Sequence, residues 1–291
     1  MDDIRTVRVR SLAAYAGRRG FRPTVNYAMQ LGPRGLFRRI VFYARLLRWH
    51  VHNFGYDLVH RTKTFRNTPV SELSAGGDAL DCAVWYTPAP VKTLRYILKQ
   101  AGADLSHHTF VDYGAGRGRA MLVASEFPFR KIVGIEFDRE LAQEAERNLS
   151  LVRGLGCQRP PWVILHQDAR DYLPGSGGYW FFMYAPFFDQ VLDTVLENIY
   201  QTGRLHSGAS FLCFLDDRDG LVPYVARRLA HWGGWEQCEL PPLPADSGAL
   251  HPMELVLFRK VQQQEDDLGP SHPYTPPVLN ALGSVTGGQL R

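Results

Sequence analysis

Residues 110–119 read FVDYGAGRGR, an apolar run that ends at Asp112 and gives way to glycines at every second position, Gly114, Gly116 and Gly118. Glycine has no Cβ and tolerates positive φ, so such a turn lets the backbone pass close to a ligand. HTFVDY, which includes the start of this stretch, is a short β-type run, and RAMLVASEF after the glycines is helical. A strand, a glycine turn and a helix in that order read as one unit of an α/β fold.

The pattern continues outward. KIVGIEF, WVILHQD, YWFFMYA and ASFLCFL read as further strands, and RELAQEAERNLSLV, FDQVLDTVLENIY and GLVPYVARRLAHW read as helices between and after them. Strands of near-continuous apolar content imply a mostly parallel sheet covered on both faces. WEQCEL and MELVLFRK follow with little between them, which predicts an antiparallel pair closing one edge. Upstream, residues 68–90 are loop-like and contain WYTP at 85–88, and a helix is expected from about Pro90 to Gln100, with the proline in its first turn. From Gln262 the chain is polar and rich in Pro and Gly, a flexible tail. The expected organisation is a basic helical N-terminal extension and loop over 1–85, a sheet domain over 86–261 and a tail over 262–291.

The 291 residues are 45% hydrophobic and 12% aromatic, enough for a proper core. No apolar run reaches the length of about 18 residues that a membrane-spanning helix needs, and MDDIRTVRVR does not read as a secretory signal. Cys82, Cys157, Cys213 and Cys238 are widely spaced without a metal-ligand pattern, so free thiols, no metal site and a cytoplasmic location are expected. The net charge of +4 conceals an asymmetry. Residues 1–66 carry 14 Lys or Arg against three acids (Asp2, Asp3 and Asp57), a balance of +11, while the rest of the chain balances at −7. Within that leader, Leu36, Phe37, Ile40, Val41, Ala44, Leu47 and Val51 recur at helical spacing over 35–52, with Arg38, Arg39, Arg45 and Arg48 mostly elsewhere on the circumference. Such a helix packs its stripe on the domain that follows, walls a substrate site, or meets an anionic partner.

A dinucleotide fingerprint, G-x-G-x-x-G, requires its third glycine where this chain has Arg119. The spacing D-x-G-x-G-x-G-R instead resembles motif I of class I S-adenosylmethionine-dependent methyltransferases. The resemblance extends over about 86–260 through the ends of the next three strands. It implies a Rossmann-like methyltransferase sheet, mostly parallel with an antiparallel edge pair, and S-adenosylmethionine as cofactor. Under it, Asp112 orders the loop and the methionine end of the cofactor, while Gly114, Ala115, Gly116 and Gly118 let the chain pass beside that end and the ribose. Glu136, closing VGIE, accepts from both ribose hydroxyls, as an acceptor-only carboxylate can. Phe137 packs on the adenine or ribose, or belongs to the core. Asp168 accepts from the adenine amine and the Ala169 amide donates to the ring, with Asp171 as the competing acid. Tyr86 covers the cofactor carboxylate.

At the fourth strand end, Tyr184, Pro186 and Phe187 stand where the family shapes its reaction site. Ala185 replaces the Asn or Asp that holds a target amine in many relatives. Arg119 is expected to pair with a carboxylate or cap the loop. His166, His206 and His231 are scattered and suggest no general base. The expected activity is methyl transfer by in-line displacement to an unidentified acceptor, a protein side chain or small molecule ahead of nucleic acid. The alternatives are an S-adenosylmethionine-binding scaffold without activity and an NAD-dependent oxidoreductase.

Overall fold

The computed structural model describes residues 32–74, 80, 82–84, 86–100, 104–153, 159–205, 208–216, 221–243 and 253–261. Trp85, Cys157, His206 and the expected tail from Gln262 lie outside the described residues. The chain divides into two compact units, Met1–Phe54 and Gly55–Arg291. In the first, helix α1 (Gly32–His60) begins and then runs on past the expected end at 52. Asn53 helps to carry it there, its side-chain amide donating to the Trp49 carbonyl at 2.9 Å.

The second unit is built on a seven-stranded sheet. In chain order the strands are β1 (His108–Tyr113), β2 (Lys131–Glu136), β3 (Trp162–His166), β4 (Gly178–Tyr184), β5 (Ser210–Asp216), β6 (Trp235–Gln237) and β7 (Glu254–Lys260). Their spatial order is β3-β2-β1-β4-β5-β7-β6. The first five are parallel, and β7 lies antiparallel between β5 and β6. This is the mostly parallel Rossmann-like sheet with an antiparallel edge pair that the sequence predicts. The helices are α2 (Val91–Gln100), α3 (Arg119–Ala124), α4 (Arg139–Arg153), α5 (Asp189–Leu205) and α6 (Leu221–Trp232). Pro90 sits just before α2 and accepts from the Leu94 amide, so the missing proline N–H costs no helical bond.

Side chains alternate across the sheet, so each central strand feeds two cores. Phe110, Trp180, Phe182 and Cys213 pack in one, and Val111, Tyr113, Phe181, Leu212 and Phe214 in the other. β1 and β5 are buried along their whole length, while the edge strand β3 is only half-buried. The sheet order reverses at β1, with β2 on one side and β4 on the other. In open α/β sheets the carboxyl ends of the strands at such a reversal form a crevice. Cys82, Cys213 and Cys238 form no disulfide among the described residues. Among the described residues, no helix is long and apolar enough to cross a membrane.

Candidate functional site

A cleft opens at that reversal, lined by the ends of β1, β2 and β4 and by the segment that precedes α2. The glycine turn forms its floor. Gly114, Gly116 and Gly118 all adopt positive φ, at 73°, 52° and 81°. A Cβ on Gly116 would stand 2.2 Å from the Tyr86 ring, and one on Gly114 would stand 2.3 Å from the Pro186 Cβ. Gly118 is outside the cleft lining. It precedes α3, where a Cβ would come within 3.2 Å of Ala145 on α4. The glycines thus serve close packing of the chain on itself, with Tyr86 lying on the turn.

The amides of the turn are also spoken for. Those of Gly114 and Ala115 both donate to the Ile135 carbonyl at 3.0 Å, that of Gly118 to the Ala115 carbonyl at 2.8 Å, and that of Gly116 to Glu136 Oε2 at 2.7 Å. A pyrophosphate needs outward-facing amides at this turn. Those four amides instead point inward.

Three carboxylates stand at the ends of successive strands. Asp112 lines the cleft, is 3% exposed, and its Oδ2 has no hydrogen-bond partner among the described residues. Burial, with a smaller contribution from Glu136, pushes its pKa up from 3.8 to about 8. Glu136 is equally buried and is raised from 4.5 to about 7, chiefly by desolvation, with the Asp138 and Gly116 amides acting against the shift. Its two oxygens accept from those two amides at 2.9 and 2.7 Å, and each oxygen retains a lone pair. Asp168 also lines the cleft but is differently engaged. It precedes the turn Ala169–Asp171, accepts from the Arg170 amide at 2.8 Å, and forms an ion pair with the Arg170 guanidinium at 2.8 Å. Asp171 does not line the cleft, whereas Phe137 and Ala169 do.

At the end of β4, Tyr184, Ala185, Pro186 and Phe187 form the opposite wall. Ala185 is 1% exposed and has φ 33°, a left-handed conformation that a non-glycine residue seldom adopts. This wall is paired with the segment before α2. The Val84 amide donates to the Pro186 carbonyl at 3.2 Å, and the Phe188 amide to the Cys82 carbonyl at 3.1 Å. Ala83 and Phe187 form an antiparallel bridge.

The sequence gives no direct view of the strap that fixes this segment. Thr68 and Tyr86 exchange backbone bonds at 3.2 and 2.9 Å, and the Tyr86 hydroxyl donates to the Thr64 carbonyl at 2.8 Å. Asp57 is the hub. It accepts from the Thr62 and Thr64 hydroxyls at 2.8 and 2.7 Å and from the Thr64 and Phe65 amides at 2.7 and 2.8 Å. Arg119, 1% exposed, closes the network with an ion pair to Asp57 at 3.2 Å, a bond to the Thr64 hydroxyl and a guanidinium 4.4 Å from the Tyr56 ring centroid. The ion pair expected of Arg119 is therefore present, with Asp57 as its partner. Arg117 pairs with Glu144 and donates to the Thr68 hydroxyl at 2.9 Å. One signal for the hub was available, because Asp57 is the sole acid between Asp3 and Glu72.

No protein-family model matches the sequence, and no curated protein matches it. Solved structures with a similar fold include a candidate RNA methyltransferase of Pyrococcus horikoshii, 16% identical over 69% of this chain and 93% of that one, with a TM-score of 0.44. A candidate S-adenosylmethionine-dependent methyltransferase of Listeria monocytogenes is 16% identical over 58% of this chain and 99% of that one, at a TM-score of 0.42. Magnesium protoporphyrin IX methyltransferase of Synechocystis PCC 6803, solved with S-adenosylmethionine, is 14% identical over 59% and 78%, at 0.40. The strand order and the antiparallel edge pair define the fold of this chain independently of these likenesses.

Proposed function

We propose that the cleft binds S-adenosylmethionine and that the chain is a methyltransferase. The observation that carries this reading is the orphaned Oδ2 of Asp112, buried in the cleft beside a second buried carboxylate. Leaving a buried acceptor unpaired is costly, and a cationic ligand supplies the missing donor. Asp112 would take the ammonium of the methionine moiety. Glu136 has acceptor capacity left for the ribose hydroxyls, and Tyr86 stands over the turn. Asp168 and the Ala169 amide would meet the adenine, with Arg170 holding the Asp168 carboxylate in place. The chemistry the cofactor brings is an activated methyl group on a positively charged sulfur. Transfer needs placement of an acceptor in line with that methyl rather than a dedicated proton carrier. Tyr184, Pro186 and Phe187 would form the wall against which the acceptor is placed, and aromatic faces there favour the sulfonium charge.

The same features count against a dinucleotide. Arg119 occupies the third glycine position, and the turn amides of Gly114, Ala115, Gly116 and Gly118 are internally bonded.

A second reading, cofactor binding without transfer, is favoured by one observation. At the β4 end Ala185 offers no side-chain acceptor, and the Pro186 carbonyl already accepts from Val84. The acceptor we favour is a protein side chain or a small molecule. Incubating the protein with methyl-labelled S-adenosylmethionine and a cell lysate, then separating protein, RNA and small molecules, tests both readings. Label in the protein or small-molecule fraction is expected. Label in no fraction, with cofactor binding intact, supports the second reading.

A further inference from the structure

The remaining unexplained feature is helix α1. Phe37, Ile40, Ala44, Leu47, Val51 and Phe54 follow one another at alternating steps of three and four residues, which places them on a single face. All six are exposed, the five large ones by 58–67%. The stripe therefore runs about 26 Å along the helix with its apolar groups in water. At 100° per residue, Arg34, Arg45 and Arg48 fall along one border of it, and these too are exposed. No Asp or Glu occurs anywhere between residues 4 and 56.

We propose that this face is a docking surface for an anionic lipid bilayer. A helix with an apolar stripe and a cationic border lies in the plane of the interface, its side chains reaching the acyl boundary and its arginines the headgroups. Charge selects this occupant over a second copy of the chain. The three-four spacing would suit a paired helix, but pairing would bring arginine borders together with no acid along the stripe, residues 32–56, to offset them. Phosphate headgroups supply the complement that a second α1 stripe lacks. The inference does not rest on the methyl-transfer reading.

The test is flotation of the full-length protein with phosphatidylcholine vesicles, with and without a phosphatidylglycerol fraction, at low and high salt. Expected is recovery with the anionic vesicles only, weakening as salt rises. Replacing Leu47→Ser and Val51→Ser together, or Arg45→Gln and Arg48→Gln together, should each lower the affinity by about tenfold or more. All four side chains are exposed, so circular dichroism should be unchanged in both variants. Equal recovery with neutral vesicles, or recovery with neither, overturns the proposal. So does a dimer in sedimentation that the Leu47→Ser, Val51→Ser pair dissolves without any vesicle binding, since that assigns the face to a second copy.

Discussion

The two halves of the cleft are finished to different degrees. At the ends of β1 and β2 the walls are carboxylates held out of water, one with an oxygen that nothing satisfies. At the end of β4 the wall is apolar and aromatic, and its backbone is already paired with residues 82–84. Polar groups in interiors are normally satisfied, and the Asp112 oxygen is an unsatisfied one in a residue that lines the cleft, which is why we propose that a ligand completes it. The carboxylate half therefore speaks to what is bound. The aromatic half has its backbone already paired, so it points less directly to what the proposed transfer would act on.

The largest way to disturb this contrast is to cut the strap. Arg119→Met leaves the buried Asp57 without its cation and should destabilise the protein by about 3 kcal/mol, measured by urea denaturation. Arg119→Lys should recover part of that loss. Next in size is Asp112→Asn, which removes the charge that the ligand answers. It should weaken S-adenosylhomocysteine binding by about tenfold to a hundredfold in calorimetry. The same substitution should raise the melting temperature of the ligand-free protein at pH 8 more than at pH 5.

That difference follows from the sign of the shifts. Asp112 and Glu136 titrate higher when folded, about 8 and 7 against 3.8 and 4.5, so the folded state holds more protons. Their contribution to stability is full below about pH 4 and is lost as pH rises through the folded values. Cofactor binding, which needs the ionised Asp112, should run the other way. It should tighten from pH 6 to 8, by up to about tenfold per unit, with protons released to the buffer. A flat pH profile would contradict the assignment of Asp112. The smallest expected effect is at the aromatic end. Ala185→Gly relieves the left-handed backbone at φ 33° without adding volume or a polar group to a site 1% exposed, and should stabilise the chain by about 0.5–1 kcal/mol.

Much of the fold was legible because β1, β2, β4 and β5 are buried strands whose apolar runs leave few other choices. The three acids stand out in the sequence because each lies at or just beyond the end of an apolar run. What the strands do not encode is pairing at long range. Asp57 and Arg119 are 62 residues apart, and only folding shows that the lone acid of a basic stretch serves the glycine turn. The extension of α1 past 52 was hidden by Asn53 and Gly55, which dilute the apolar period. The Asp168–Arg170 pair is two residues apart, but sequence spacing alone does not turn the arginine back onto the acid before it. The alternating glycines suggest a close approach to a ligand, whereas the groups that approach Gly114 and Gly116 in the structure are Pro186 and Tyr86 of the chain itself.

The central claim is that the cleft is built for a cationic nucleoside. Isothermal titration of the full-length protein at pH 8 with S-adenosylhomocysteine, whose methionine moiety retains the ammonium, and in parallel with NADH, tests it most directly. The account predicts saturable one-site binding of S-adenosylhomocysteine, lost on Glu136→Ala, and no competition from NADH. Binding of NADH in place of S-adenosylhomocysteine, or of neither, would contradict it.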